Sequence, residues 1–172
     1  MKTIYLLRHA KAAAESPTGD SGRGLTKRGR KAATAMAGFL GGLDPAPALV
    51  LCSTAARTRE TLDLVLPALH PSPKIAYEEE LYLAEAKSLL RQLRHLPKDA
   101  GSVLLVGHNP GLHELGARLA VDPGPLAQDF PTAALAVLRL AGDWADLRWH
   151  GATLALYRTP KELSPDHDSA AD

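Results

Sequence analysis

The chain has one cysteine, Cys52, in 172 residues. No disulfide can form within it, and a reducing compartment fits. It has no apolar stretch of membrane-spanning length, and Met1-Lys2-Thr3 leads straight into a strand-like run, so the expected location is cytoplasmic and no membrane partner is expected. It also has almost no net charge, with twenty Lys and Arg against nineteen Asp and Glu. One basic run occurs at Lys27-Arg28-Gly29-Arg30-Lys31, but it lacks interleaved aromatics and opens an Ala-rich helix. It reads as a solvated face, which argues against a nucleic-acid partner. His70, His95, His113, His150 and His167 lack the spacing with cysteine or carboxylate that zinc needs, and His108 and His113 do not form the two-histidine helical pair of metalloproteases. No metal and no cofactor are expected. Internal repeats and linkers are absent too.

What is present is 45% hydrophobic content, ordinary for one domain with a real core. Apolar runs alternate with helical patterns. Strands are expected near 3–7, 48–52, 102–106, 134–139 and 153–157, with a weaker one near 146–149; helices are expected near 26–41, 55–66, 85–96 and 111–120. This alternation predicts an α/β fold, a mostly parallel central sheet with helices on both faces. The turn at Gly151 predicts an antiparallel edge. Residues 1–158 form the single expected domain. Residues 159–172, with Pro160, Pro165 and an acidic finish, are expected to be a disordered tail. The interval 121–131 reads as a loop placed to border a pocket.

Three strand ends carry nitrogen donors. Ile4-Tyr5-Leu6-Leu7 delivers Arg8 and His9. Leu49-Val50-Leu51-Cys52 leads through Ser53 into a helix whose first turn holds Arg57. Val103-Leu104-Leu105-Val106 delivers His108, followed by Asn109-Pro110 as a helix start. If these strands are parallel neighbours, Arg8, His9, Arg57 and His108 converge with helix N-termini behind them, an anion pocket that needs no metal. An imidazole is a good nucleophile toward phosphorus, and a guanidinium holds phosphate oxygens bidentately, so the constellation points to phosphoryl transfer. Residues 1–31 hold eight Lys or Arg against two acids, which favours anionic substrates. Ser53, Thr58 and Thr61 read as capping and back-bonding groups.

The chain resembles the histidine phosphatase superfamily, phosphoglycerate mutase-like, and within it the SixA-like phosphohistidine phosphatases. The resemblance rests on Leu7-Arg8-His9-Ala10-Lys11, Leu25-Thr26 with Gly29, Ser53 through Thr61, Glu80-Leu81, Val106-Gly107-His108-Asn109-Pro110 and Phe130-Pro131-Thr132-Ala133, in order from Met1 to about Arg158. Ala10 stands where the superfamily usually has glycine. The resemblance implies a metal-independent phosphatase in which neutral His9 attacks phosphorus, forming a phosphohistidine that water hydrolyses. Arg8, Arg57 and His108 would bind the nonbridging oxygens, and a backbone carbonyl would fix the His9 tautomer.

By the same resemblance Glu80 matches the position of a carboxylate that protonates the leaving group; read without it, Glu78-Glu79-Glu80 is a solvated acidic run. Arg23, on a glycine-rich loop, is either a substrate contact or a surface arginine. The chain leaves no room for a large cap, and an open pocket suits a phosphorylated side chain on a protein. The expected partner is therefore a phosphorylated protein carrying phosphohistidine, with a small phosphate ester as the competing substrate and a monomer as the expected unit. The alternatives are a broad-specificity small-molecule phosphomonoesterase and a non-catalytic phosphate-binding module.

Overall fold

The computed structural model describes residues 1–163. Six strands form one sheet: β1 (Lys2–Arg8), β2 (Leu49–Ser53), β3 (Lys74–Glu78), β4 (Ser102–Gly107), β5 (Leu135–Leu140) and β6 (Thr153–Arg158). Their spatial order is β3-β2-β4-β1-β5-β6. β3, β2, β4 and β1 run parallel, and β5 is antiparallel to both β1 and β6. The helices are α1 (Lys27–Leu40), α2 (Ala56–Val65), α3 (Ala86–Arg94), α4 (Gly111–Leu119) and the short α5 (Pro160–Leu163).

Alternation along β1 explains why both sheet faces are covered. Ile4 and Leu6 pack with Leu89, Leu93, Leu112 and Leu115 of α3 and α4. Tyr5 and Leu7 point the other way, onto Met36 and Leu40 of α1 and Leu62 and Val65 of α2. A strand buried on both faces reads as a continuous apolar run, which is why β1 and β4 are legible as strands. At the head of α1, the Thr26 hydroxyl accepts from the Gly29 N–H at 3.0 Å, a cap worth about 1 kcal/mol. A Cβ on Gly29 would lie 2.1 Å from the Lys11 carbonyl oxygen. The missing side chain lets the loop after His9 rest on the start of α1.

Four expectations are corrected. β3 was not expected, because it is an exposed edge strand of five residues; hydrogen bonding to β2, rather than periodic burial, makes it a strand. No strand forms at 146–149: Trp144–Asp146 is a 3-10 turn instead, pinned by the buried Trp144, whose indole N–H donates to Ala100 O at 2.8 Å. The antiparallel edge is β5 with β6. Asn109 does not cap α4. The helix has Pro110 at its cap position, and the Asn109 amide donates to Phe130 O at 2.8 Å. Of the expected tail, residues 160–163 form α5, with Leu163 packed on the α1 side of the core; residues 164–172 lie outside the described residues.

Candidate active site

The carboxyl ends of β1 and β4 meet directly, with Arg8 paired to Gly107. The backbone just beyond is clamped from both sides. The His9 N–H donates to Gly107 O at 3.1 Å, and the Ala133 N–H reaches Arg8 O and His9 O at 3.1 and 3.0 Å. The Ala10 N–H donates to the Thr61 hydroxyl at 2.9 Å, and Thr61 donates to Arg57 O at 2.7 Å. One buried threonine on α2 thus ties the residue after His9 to the backbone of Arg57.

The result is a cleft of about 330 Å³ lined by Arg8, His9, Lys11, Ala12, Asp20, Arg23, Arg57, Leu83, His108, Asn109 and Thr132. His9 is buried, and its Nδ1 lies 2.8 Å from the Ala10 carbonyl oxygen. A carbonyl only accepts, so Nδ1 carries the proton and Nε2 keeps its lone pair. Desolvation, followed by the charges of Arg8, Arg57 and Arg23, pushes the His9 pKa down to about 4, against the opposing Ala10 bond. The ring is therefore neutral near pH 7.

His108 is also buried, its ring centroid 5.4 Å from that of His9. Its Nε2 sits 2.7 Å from the hydroxyl of Ser53, at the end of β2. Ser53 also accepts from the Ala55 N–H at 3.3 Å, and its hydroxyl can either donate to Nε2 or accept from it. Burial first, then the Arg57 charge, pushes the His108 pKa down to about 3.

The two arginines enter from different elements. Arg57, in the first turn of α2, is only 2% exposed. It donates through Nη1 to Asp20 O at 2.9 Å and through Nη2 to Asp20 Oδ2 at 3.1 Å. Arg8 donates through Nη1 to Phe130 O at 3.3 Å. Of the residues lining the cleft, Arg8 Nε, Arg57 Nε, His108 Nδ1 and Asn109 Oδ1 are buried and have no hydrogen-bond partner. Buried donors are nearly always satisfied. Two unpaired guanidinium N–H groups and an unpaired imidazole nitrogen in one cleft make a site chemically suited to an oxyanion.

Asp20 organises the rim. Its carboxylate takes Arg23 Nε at 3.0 Å, Arg57 Nη2 and the Tyr82 hydroxyl, while Arg23 Nη1 donates to Ala13 O at 2.7 Å. The Tyr82 bond, then those to Arg23 and Arg57, holds its pKa down to about 2 in spite of some desolvation. It is ionised near neutral pH and accepts all three bonds. The Tyr82 ring stands edge-on to His108, centroids 5.4 Å apart.

Of the residues singled out in the sequence, Arg8, His9, Arg23, Arg57 and His108 meet in this cleft, and Glu80 does not. Glu80 belongs to the 3-10 turn Glu79–Leu81, which drives Leu81 into the core, and it lines an exposed groove with Glu78, Arg91 and His95. Just beyond it, Leu83 lines the cleft, and Tyr82 touches Asp20 and the ring of His108. Ser53 and Asn109 read in the sequence as capping groups, which Ser53 is, accepting from the Ala55 N–H; Asp20, Tyr82 and Thr132 carry no signal that singles them out. For Ser53 the signal was a hydroxyl at a strand end, but only the β2–β4 pairing puts it beside His108. Among the described residues no group of three or more His, Cys, Asp or Glu is placed to hold a metal ion, and no helix is long and apolar enough to cross a membrane.

Comparison with known proteins agrees with this geometry. The family model for the histidine phosphatase superfamily (branch 1) matches residues 4–87. An uncharacterized protein of Mycobacterium tuberculosis (strain H37Rv) is 34% identical, the match covering 90% of this chain and all of that one. Among solved structures, a provisionally named phosphohistidine phosphatase SixA from Nakamurella multipartitia is 38% identical with a TM-score of 0.82, covering 92% of this chain and 96% of its own. The protein histidine phosphatase SixA complexed with tungstate is 27% identical with a TM-score of 0.80, covering 94% and 99%. A buried histidine at the end of β1 among orphan cationic donors, together with these matches, places the chain in the histidine phosphatase superfamily, as a hydrolase of its SixA-like branch.

Proposed function

We propose that this protein removes the phosphoryl group from phosphohistidine on another protein, through a covalent intermediate on His9. His9 Nε2 attacks phosphorus in line; the new N–P bond forms as the P–N bond to the substrate imidazole breaks, and that imidazole takes a proton from solvent. Water then attacks the phosphoryl group, the P–Nε2 bond breaks, inorganic phosphate leaves and His9 is restored. Splitting the displacement replaces one hard step by two easier ones. Arg8, Arg57 and His108 hold the nonbridging oxygens and stabilise the charge spread over them, with Arg23 at the substrate side. The observation that carries the reading is the set of orphan buried donors around a neutral His9.

The leaving group is chosen on proton supply. An ester leaves as an alkoxide and needs a nearby acid. Among the described residues the one carboxylate lining the cleft is Asp20, held ionised, and Glu80 is elsewhere. An imidazole leaving from a phosphoramidate draws its proton from water and needs no such acid. Mixing the protein with a histidine-phosphorylated carrier protein, beside an aryl phosphate, tests the proposal with wild type and His9→Ala. Strong preference for the carrier, abolished by His9→Ala, is expected. Turnover of the aryl phosphate alone would favour a small-molecule phosphomonoesterase, and binding of phosphate with no His9-dependent release from either substrate would favour a binding module.

A further inference from the structure

Leu83 combines two properties that stability does not explain. Its φ is 51°, in the left-handed region that a bulky side chain adopts only under constraint and that glycine occupies freely. Its side chain is also 52% exposed and belongs to none of the three apolar clusters. Selection for stability alone would put glycine or asparagine here. Strain of this kind persists only where the surroundings over-determine it, and it collects at functional sites.

The surroundings do over-determine it. Leu81 is buried on one side of the turn, the Tyr82 N–H donates to Glu79 O at 3.0 Å, and the Ala84 N–H donates to Leu81 O at 3.3 Å. On the other side a Cβ at Gly111 would lie 1.8 Å from the Ala84 carbonyl oxygen, so the first residue of α4 presses directly on the turn. The chain is thereby forced to present residue 83 at the rim of the catalytic cleft, which Leu83 lines. Apart from the small Ala12, the other side chains lining the cleft are polar or charged, so Leu83 is the large apolar contact available to whatever stands above the phosphoryl group.

We infer that Leu83 is a specificity-determining residue that packs against the apolar surface flanking the phosphohistidine of a protein substrate. This rests on the proposed function, and it adds the part of the substrate beyond the phosphoryl group. A small phosphoramidate is too short to cover the leucine; a protein surface is not. Covering a half-exposed leucine is worth roughly tenfold in affinity.

The test compares wild type, Leu83→Gly and Leu83→Asp by kcat/KM on a histidine-phosphorylated carrier protein and on free phosphoramidate. The expected result is a fall of about tenfold in the carrier-to-phosphoramidate ratio for Leu83→Gly, carried by KM, and a larger fall for Leu83→Asp. Thermal melting accompanies each variant, and because glycine suits φ 51°, Leu83→Gly is expected to keep its Tm within a few degrees. If wild type prefers the carrier and the ratio is unmoved in both variants, the inference is overturned while the proposed function stands. A fall that is equal on both substrates also overturns it, since it reports damage to the cleft. If wild type does not hydrolyse the carrier at all, the proposed function fails, and the protein-contact role of Leu83 fails with it.

Discussion

Replacing Arg57 by alanine separates chemistry from folding, and the structure supplies both magnitudes. On the chemical side, under the proposed mechanism the substitution removes one of the donors around the transferred phosphoryl group. Loss of one such preorganised donor costs about 10²–10³ in kcat, or ~2.7–4 kcal/mol. On the folding side, two hydrogen bonds to Asp20 disappear, each worth about 1 kcal/mol net. The substitution also removes a nearly fully buried guanidinium whose Nε has no partner, and relief of that desolvation returns about 1–3 kcal/mol. The two nearly cancel, so Tm should move by only ~2–4 °C for each remaining kcal/mol in a chain of this size. Removing the charge also lifts one of the influences that lower the His9 pKa, so the acid limb of kcat/KM should move to higher pH. Single-turnover phosphate release, a pH–rate profile and a thermal melt read all three. An unfolded variant, or a folded one losing less than tenfold in kcat, would refute the reasoning.

Further outcomes follow from the same geometry. Glu80→Gln should leave kcat and KM within about twofold of wild type, since Glu80 faces a separate groove; a hundredfold loss in phosphate release would restore it as the acid. Stability should fall as pH drops from about 6.5. His9 and His108 have folded-state pKa values lowered from 6.5 to about 4 and about 3, so the unfolded chain takes up protons first, and stability present above pH 6.5 is lost toward pH 4 and below. For His9 this is on the order of 3 kcal/mol. Urea unfolding of wild type and His9→Gln across this range checks it, with a shallower slope expected for the variant and a slope of opposite sign refuting the account. Tungstate, vanadate and phosphate should inhibit competitively with substrate, while a chelator leaves the rate unchanged. Activity that vanished with the chelator and returned with a divalent ion would overturn the mechanism.

Much of the fold was legible because β1, β2 and β4 are continuous apolar runs ending in turn and helix signals, and such runs declare themselves wherever both sheet faces are covered. β3 was not legible. Lys74-Ile75-Ala76-Tyr77-Glu78 leaves Ile75 39% and Tyr77 37% exposed, so no burial pattern marks it, and it becomes a strand because β2 offers an open edge. The segment at 146–149 failed for the opposite reason: its aromatic and leucine residues look like a strand, but Trp144 and Leu147 are anchors of a tight turn.

The sequence by itself determined that Arg8, His9, Arg57 and His108 stand at or just past strand ends, because hydrophobic periodicity locates where a strand stops and the next residue has nowhere else to be. Tertiary structure alone decided the rest. β4 inserts between β1 and β2, and that non-sequential order sets Ser53 beside His108. Loop closure over some forty to sixty residues brings Asp20 to Arg57 and Tyr82. The burial of Leu81 turns Glu80 away from the cleft and Tyr82 toward it. Local patterns encode which face of an element is apolar. The partner of a polar side chain depends on long-range packing that no local pattern records.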